Sequence, residues 1–272
     1  MFEISLWFLF PLAIIISTIS AMIGIGGAIL FSPILIILLG LDPLQAFATG
    51  IFIEIFSFSS GLSGYLRRKV VPISKIKILL LYTIPGALLG VFIAQFIPSL
   101  VLKLLLFALL IYFGFTFVFE GRQCLYKHPH LTAYAIDKSE LVIDSTMKVT
   151  SCFGGTLLGM LSAGLGEINE YNFLKRKHMN PSASAGSSIF LVSITAAVVV
   201  TIHILFLLFN QEFAVLIQIV SILMLCVPGV IIGAQIGVRM SRRFDNLEME
   251  LFAGCIFLSV ATILILEIMK II

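Results

Sequence analysis

From Ser182 to Phe209, and again from Phe213 to Val238, the chain runs without a single Asp, Glu, Lys or Arg. A helix crossing the hydrocarbon core of a bilayer takes about 20 apolar residues. Further apolar stretches lie at approximately 4–22, 24–39, 45–65, 76–97, 99–119, 148–165 and 250–269. Backbone polar groups in lipid must be paired within the protein, and runs of this length without strand-like alternation read as helices. With 60% hydrophobic and 11% charged residues and a mean hydropathy of +1.16, the 272 residues hold roughly eight to ten crossings. That leaves no room for a soluble enzymatic domain.

The first residues, Met1-Phe2-Glu3-Ile4-Ser5, carry no basic segment, and the apolar run continues to Gly24, so the N-terminal stretch reads as a span and not a signal peptide. Cys124, Cys152, Cys226 and Cys255 are scattered without metal-ligand spacing, which supports neither a disulfide framework nor a metal site. No cofactor motif is present. The net charge of +3 comes with no basic cluster interleaved with aromatics, so nucleic acid is excluded as a partner.

Self-similarity organises the chain. Gly24-Ile25-Gly26-Gly27 returns as Gly164-Leu165-Gly166-Glu167. Asp42-Pro43, followed by Ala46, Thr49, Ile51 and Phe52, returns as Asn180-Pro181, followed by Ser184, Ser187, Ile189 and Phe190. Pro85-Gly86 with Gly90 returns as Pro228-Gly229 with Gly233. Three landmarks in one order predict two structural repeats, a common design of membrane transporters. The division is 1–119 for the first repeat, 120–147 for a polar linker and 148–272 for the second repeat.

Basic residues set the orientation. The connector after the Thr49 helix holds Arg67, Arg68, Lys69, Lys75 and Lys77, whereas Ile97-Pro98-Ser99 after the Pro85 helix holds none; the second half reverses this, with Asn210-Gln211-Glu212 bare and Arg239, Arg242 and Arg243 after the Pro228 helix. Cytoplasmic loops are enriched in Lys and Arg, so equivalent loops fall on opposite sides and the repeats are inverted. Under this topology the linker 120–147 and Lys175-Arg176-Lys177 are cytoplasmic. Of the 17 basic residues, all but Lys103 and Lys270 then lie on one side, with both termini outside. The stretch 148–180 must enter and return, turning near Gly164; the first half does the same near Gly24. The expected fold is an all-α polytopic membrane protein of two inverted repeats. Each is a helical hairpin, full-length or re-entrant, followed by three transmembrane helices.

Glycine at the two turns has a chemical reading. Irregular backbone at membrane depth is tolerated where it is buried in protein or lines a cavity, and the first N–H groups of a helix are unpaired and positive. They can hold an anion without any Arg or Lys. Gly24, Gly26, Gly27, Gly164 and Gly166 are therefore candidate substrate-binding residues, against the alternative that they only permit close helix packing. Thr49, Ser187 and Ser188 open the spans after each hairpin and could donate hydroxyls, or bond back to their own helix; Asn169 is a neutral donor beside the second turn. Asp42 and Asn180, each preceding Pro, read as helix caps.

Two acids remain inside. Glu54 lies deep in an apolar span, where acids mark ion or proton pathways or bond a neighbouring helix in protonated form. Glu167 directly follows the second turn. It suits a helix start, and it would repel an anion unless it takes a proton when substrate binds or fills the empty site itself. Both are candidate proton-coupling residues.

Gly24-Ile25-Gly26-Gly27 with Pro33, Ala46-Phe47-Ala48-Thr49, and Pro85-Gly86-Ala87-Leu88-Leu89-Gly90 resemble the sulfite exporter family of the TauE/SafE type across nearly the whole chain. The resemblance implies a secondary transporter, not an enzyme. Its partners would be a small sulfur-containing anion (sulfite, thiosulfate, sulfoacetate or another organosulfonate), protons and the lipid bilayer of the cell membrane. Ala28 stands where many members have Gly, and Glu167-Ile168-Asn169-Glu170 replaces a Gly-rich run. An anion channel of the same fold, or a carrier of a non-sulfur anion, is the alternative. No HExxH motif and no pair of intramembrane aspartates supports an intramembrane enzyme.

Overall fold

The computed structural model describes residues 6–127, 141–241 and 246–271, which form helices without a strand. The helices are α1 (Leu9–Ile23), α2 (Ala28–Leu39), α3 (Pro43–Arg67), α4 (Ile73–Ile76), α5 (Leu80–Ala94) and α6 (Ser99–Lys127) in the first half. In the second they are α7 (Ser145–Leu161), α8 (Leu165–Tyr171), α9 (Pro181–Phe209), α10 (Phe213–Met240) and α11 (Asn246–Ile271). A 3₁₀ turn, Lys77–Leu79, joins α4 to α5, and a π turn, Asn172–Arg176, extends α8. Helix α6 continues to Lys127 into the expected linker, whose residues 128–140 lie outside the described residues, as do Arg242, Arg243 and the outermost residues of both termini.

Among the described residues, six helical segments are long and apolar enough to span a bilayer: Pro43–Arg67, Ile73–Ala94, Ser99–Phe119, Pro181–Phe209, Phe213–Met240 and Leu251–Met269. They fall three to each half. The hairpin helices are shorter, with 15 residues in α1, 12 in α2, 17 in α7 and 7 in α8.

Local chemistry explains the breaks. Helix α1 stops because Gly24 turns left-handed at φ 89° while its N–H donates to the Ser20 carbonyl; a side chain there would be strained. Asp42 accepts from the Leu44 N–H at 3.2 Å to start α3, and Asn180 accepts from the Ser182 N–H at 3.1 Å to start α9, each with Pro in the first turn. Both capping expectations hold. Helix α7 starts on Asp144, which accepts from the Met147 N–H at 2.8 Å, and ends at a left-handed Ser162.

These caps define the repeat register. The interval from Gly24 to Ser162 equals those from Asp42 to Asn180 and from Thr49 to Ser187. In this register Gly24 corresponds to Ser162, each ending a helix in a left-handed conformation, and Gly26 to Gly164, two residues away from the match of the glycine motifs themselves. Sequence similarity had aligned the glycines; the chain reversal aligns the caps.

Packing follows the same correspondence. Helix α1 lies along α10 and α7 along α5, α2 packs on α3 and α8 on α9, and α6 pairs with α11. Each hairpin's first helix is thus clasped by the fourth major helix of the other half. Glycines make that contact close: a Cβ on Gly229 would meet the Phe10 carbonyl oxygen at 2.7 Å, and Cβ atoms on Gly90 and Gly159 would run into the Thr156 and Ala87 carbonyl oxygens. Without a hydrophobic driving force between helices in lipid, such small-residue contact and interhelical hydrogen bonds supply the attraction. Ser17 Oγ donates to the Val230 carbonyl at 2.7 Å, and Gln235 Nε2 donates to the Ser60 carbonyl at 2.7 Å.

Candidate functional site

The two glycine turns abut. A Cβ on Gly166 would lie 2.8 Å from the Gly26 nitrogen, 3.2 Å from the Ile25 carbonyl carbon and 3.4 Å from the Gly24 carbonyl oxygen. On the other flank, Gly24 presses on α9, where a Cβ would lie 2.5 Å from the Ala185 Cα. Only a residue without a side chain fits between the hairpin and α9.

Two acids converge on the crossing. Glu167 Oε1 accepts from the Gly26 N–H at 3.1 Å and its Oε2 accepts from the Gly164 N–H at 2.9 Å. One carboxylate therefore holds both turns. Glu54, one turn beyond Gly50 on α3, reaches the start of α2, where its Oε1 accepts from the Ala28 N–H at 3.3 Å. Its Oε2 is buried without a hydrogen-bond partner, as is Ser32 Oγ one turn further along α2. A Cβ built on Gly26 would lie 3.1 Å from Glu54 Oε1 and 3.3 Å from Glu167 Oε1, so both acids face the same point. Glu54 is 0% exposed and Glu167 1% exposed.

The remaining sequence-predicted residues divide into two groups. Ser188 Oγ donates to the Gly166 carbonyl at 2.8 Å, fixing the second turn to α9. Asn169 lies one turn along α8, donating to the Leu165 carbonyl at 3.0 Å and accepting from Ser151 Oγ at 2.7 Å. Gly27 precedes α2, its Cα facing Ser20 Oγ. By contrast, Thr49 Oγ1 donates to the Gln45 carbonyl at 2.7 Å and Ser187 Oγ to the Ala183 carbonyl at 2.6 Å. Both hydroxyls bond back to their own helices, at equivalent places in the two halves.

Sequence reasoning missed the Ala28 N–H, which carries no side-chain signal, and Ser162. Ser162 Oγ donates to the Phe47 carbonyl at 2.7 Å, tying the second turn to α3 of the first half. Among the described residues no group of three or more His, Cys, Asp or Glu is placed to hold a metal ion. The two acids are not repeat equivalents: in the cap register Val192 corresponds to Glu54 and Ile29 to Glu167. Equivalent positions thus carry unequal chemistry.

The chain is thus a multi-pass helical membrane protein with buried backbone N–H groups of Gly26, Ala28 and Gly164 bonded to two carboxylates. The sulfite exporter TauE/SafE family matches residues 9–264, and the chain belongs to that family. Membership implies a membrane transporter of sulfur-containing anions. Neither the curated proteins nor the solved structures compared with the chain gave a match.

Proposed function

We propose that this chain is a proton-coupled secondary carrier that moves a small sulfur-containing anion across the cell membrane by alternating access. Sulfite, thiosulfate and organosulfonates such as sulfoacetate are its candidate substrates. The observation that carries the reading is the seat already provided for an oxyanion. Buried N–H groups of Gly26, Ala28 and Gly164 each hold a carboxylate oxygen. A sulfonate or sulfite oxygen makes the same charge-assisted hydrogen bond.

In this reading the halves are inverted repeats, the basic connectors and the 120–147 linker are cytoplasmic, both termini are outside, and the turns meet near the bilayer midplane. Substrate binds where Gly24, Gly26, Gly27, Gly164 and Gly166 come together, with Ser188 and Asn169 holding the second turn in place. Thr49 and Ser187 turn toward the anion only if their helix-internal bonds open. Glu54 and Glu167 form the carboxyl pair at which the coupled proton is carried. Pro85 and Pro228 lack the N–H that would tie one helical turn to the next, which lets α5 and α10 flex as the hairpins they clasp move between states.

Reconstitution tests this directly. Proteoliposomes with an imposed pH gradient should accumulate labelled sulfite, thiosulfate or a sulfonate, with the gradient's collapse abolishing accumulation. Movement of none of these anions would overturn the substrate class, and single-channel currents would replace the carrier by a channel.

A further inference from the structure

The Glu167 carboxylate does not merely cap a helix. A capping bond to the Gly164 N–H needs only one oxygen, yet the second oxygen reaches a residue 141 positions away, the Gly26 N–H of the other half. The start of the 12-residue helix α2 is thus occupied by an oxyanion belonging to the protein. Beside it stands the buried, unpartnered Oε2 of Glu54.

Charge balance constrains what this arrangement can do. The elements around the crossing carry few other titratable groups. Helices α1 and α2 have none, and α9 has only His203. On α3 the others are Tyr65, whose hydroxyl donates to the Ala21 carbonyl at 2.8 Å, and Arg67 at the helix end. Lys148 of α7 sits 5.9 Å over the Tyr82 ring, Glu170 is three residues along α8, and Arg239 lies in the last turn of α10. Arg68 caps the far end of α3, and with no cation among the described residues paired to Glu54 or Glu167, two buried carboxylates facing one point cannot both stay ionised, so one proton resides on the pair. The shorter N–H bonds to Glu167, 3.1 and 2.9 Å against 3.3 Å to Glu54, assign the negative charge to Glu167 and the proton to Glu54.

From this geometry we infer that Glu167 is a tethered competitor of the transported anion. Substrate takes its place on the Gly26 N–H, and Glu167 leaves as the neutral acid after accepting one proton. The inference rests on the carrier reading above and specifies how its site is coupled. A monovalent anion arrives, one carboxylate is neutralised, and the buried charge is unchanged, so each monovalent anion brings one proton. The O–H of Glu54 on its unpartnered oxygen is the second donor to the bound anion. Loss of the Gly26–Glu167 bond also unties the two turns, which links substrate entry to their separation.

Equilibrium binding of methanesulfonate, whose single charge is constant with pH in the working range, and of thiosulfate tests the inference on purified full-length protein. Linkage makes wild-type methanesulfonate affinity fall about tenfold per pH unit on the alkaline side. Glu167→Gln should flatten that dependence and bind more tightly than wild type at alkaline pH, with a gap that widens about tenfold per pH unit. Glu54→Gln should keep the slope. Glu167→Asp, too short to span both N–H groups, provides a variant that retains the charge: it should bind more tightly with the slope intact. A wild-type slope persisting in Glu167→Gln, or weaker binding in folded Glu167→Asp, would overturn the tethered-competitor inference while leaving the carrier intact. Wild-type protein that binds neither anion would overturn the carrier reading itself, and the inference with it.

Discussion

The Gly26 N–H donates to the Glu167 carboxylate at 3.1 Å, joining the first glycine turn to the second. That bond defines where a substitution at Gly26 acts. A methyl group there would stand 3.1 Å from Glu54 Oε1 and 3.3 Å from Glu167 Oε1, close enough to push both carboxylates by a few tenths of an ångström.

Gly26→Ala should therefore lower anion affinity and transport by about tenfold or more, an effect of roughly 1.4 kcal/mol or above, with a near-normal melting temperature. Gly26→Leu should abolish binding altogether. The check is ligand-dependent thermal stabilisation, since a ligand that binds only the folded state raises apparent stability. Wild-type stabilisation by thiosulfate in Gly26→Leu would remove the turn from the site.

Gly90 and Gly233 test packing instead of chemistry. Each allows its helix to approach a hairpin helix of the other half, α5 on α7 and α10 on α1, with a Cβ running into the Thr156 or Ile14 carbonyl oxygen. Overpacking at such a contact costs typically about 1–3 kcal/mol. Gly90→Val and Gly233→Val should destabilise the protein by similar amounts, because each drives a side chain into a backbone carbonyl oxygen of a hairpin helix. Thermal unfolding in detergent measures both. A loss confined to one would show that the hairpin helix at the other contact shifts to make room.

Part of this was legible in the sequence and part was not, for physical reasons. The six long spans, the caps at Asp42 and Asn180, and the pairing of glycine with a hairpin turn follow from composition and local hydrogen bonding, which act within a few residues. The partner of Glu167 does not. Apolar periodicity reports which face of a helix is buried but not what it is buried against, and in lipid nearly every face is apolar. Gly26 and Glu167 meet only through the clasp of α1 by α10 and α7 by α5. The register of the glycine motifs differs from that of the caps for a related reason: similar glycine motifs do different backbone work, with Gly24 ending a helix and Gly164, at φ 100°, starting one. Ser162 ends the corresponding helix without any glycine signal.

At the surface, Asp144 caps α7 and pairs with Lys177 Nζ at 2.9 Å, with Arg176 at 3.7 Å. The Lys177 hydrogen bond, followed by the cap to Met147, holds its carboxyl below the ordinary aspartate range. A carboxylate with a lowered folded-state value stabilises the fold above its unfolded value, about 3.9. That contribution disappears as the pH falls through the folded value. Asp144→Ala should cost about 1 kcal/mol near neutral pH, mostly from the cap, since so exposed an ion pair adds little. Unfolding of wild type and variant, compared at neutral and strongly acidic pH, should show the difference vanish in acid. A pH-independent gap would assign the effect to something other than the carboxylate.

The inverted arrangement makes a prediction that the helical contacts alone do not. Lys75 in the connector before α5 and Arg239 at the end of α10 should face the cytoplasm, where Lys and Arg accumulate in short loops. Ser99 before α6 and Gln211 between α9 and α10 should face outward. In a background with Cys124, Cys152, Cys226 and Cys255 replaced, single cysteines at these four positions can be challenged with a membrane-impermeant thiol reagent. Lys75→Cys should react only in inside-out vesicles, and Ser99→Cys and Gln211→Cys only in intact cells. The decisive comparison is Ser99 with Arg239, because both follow equivalent helices, α5 and α10. Labelling of the two from the same side would make the repeats parallel, and the turns could not then enter the bilayer from opposite faces as the proposed site requires.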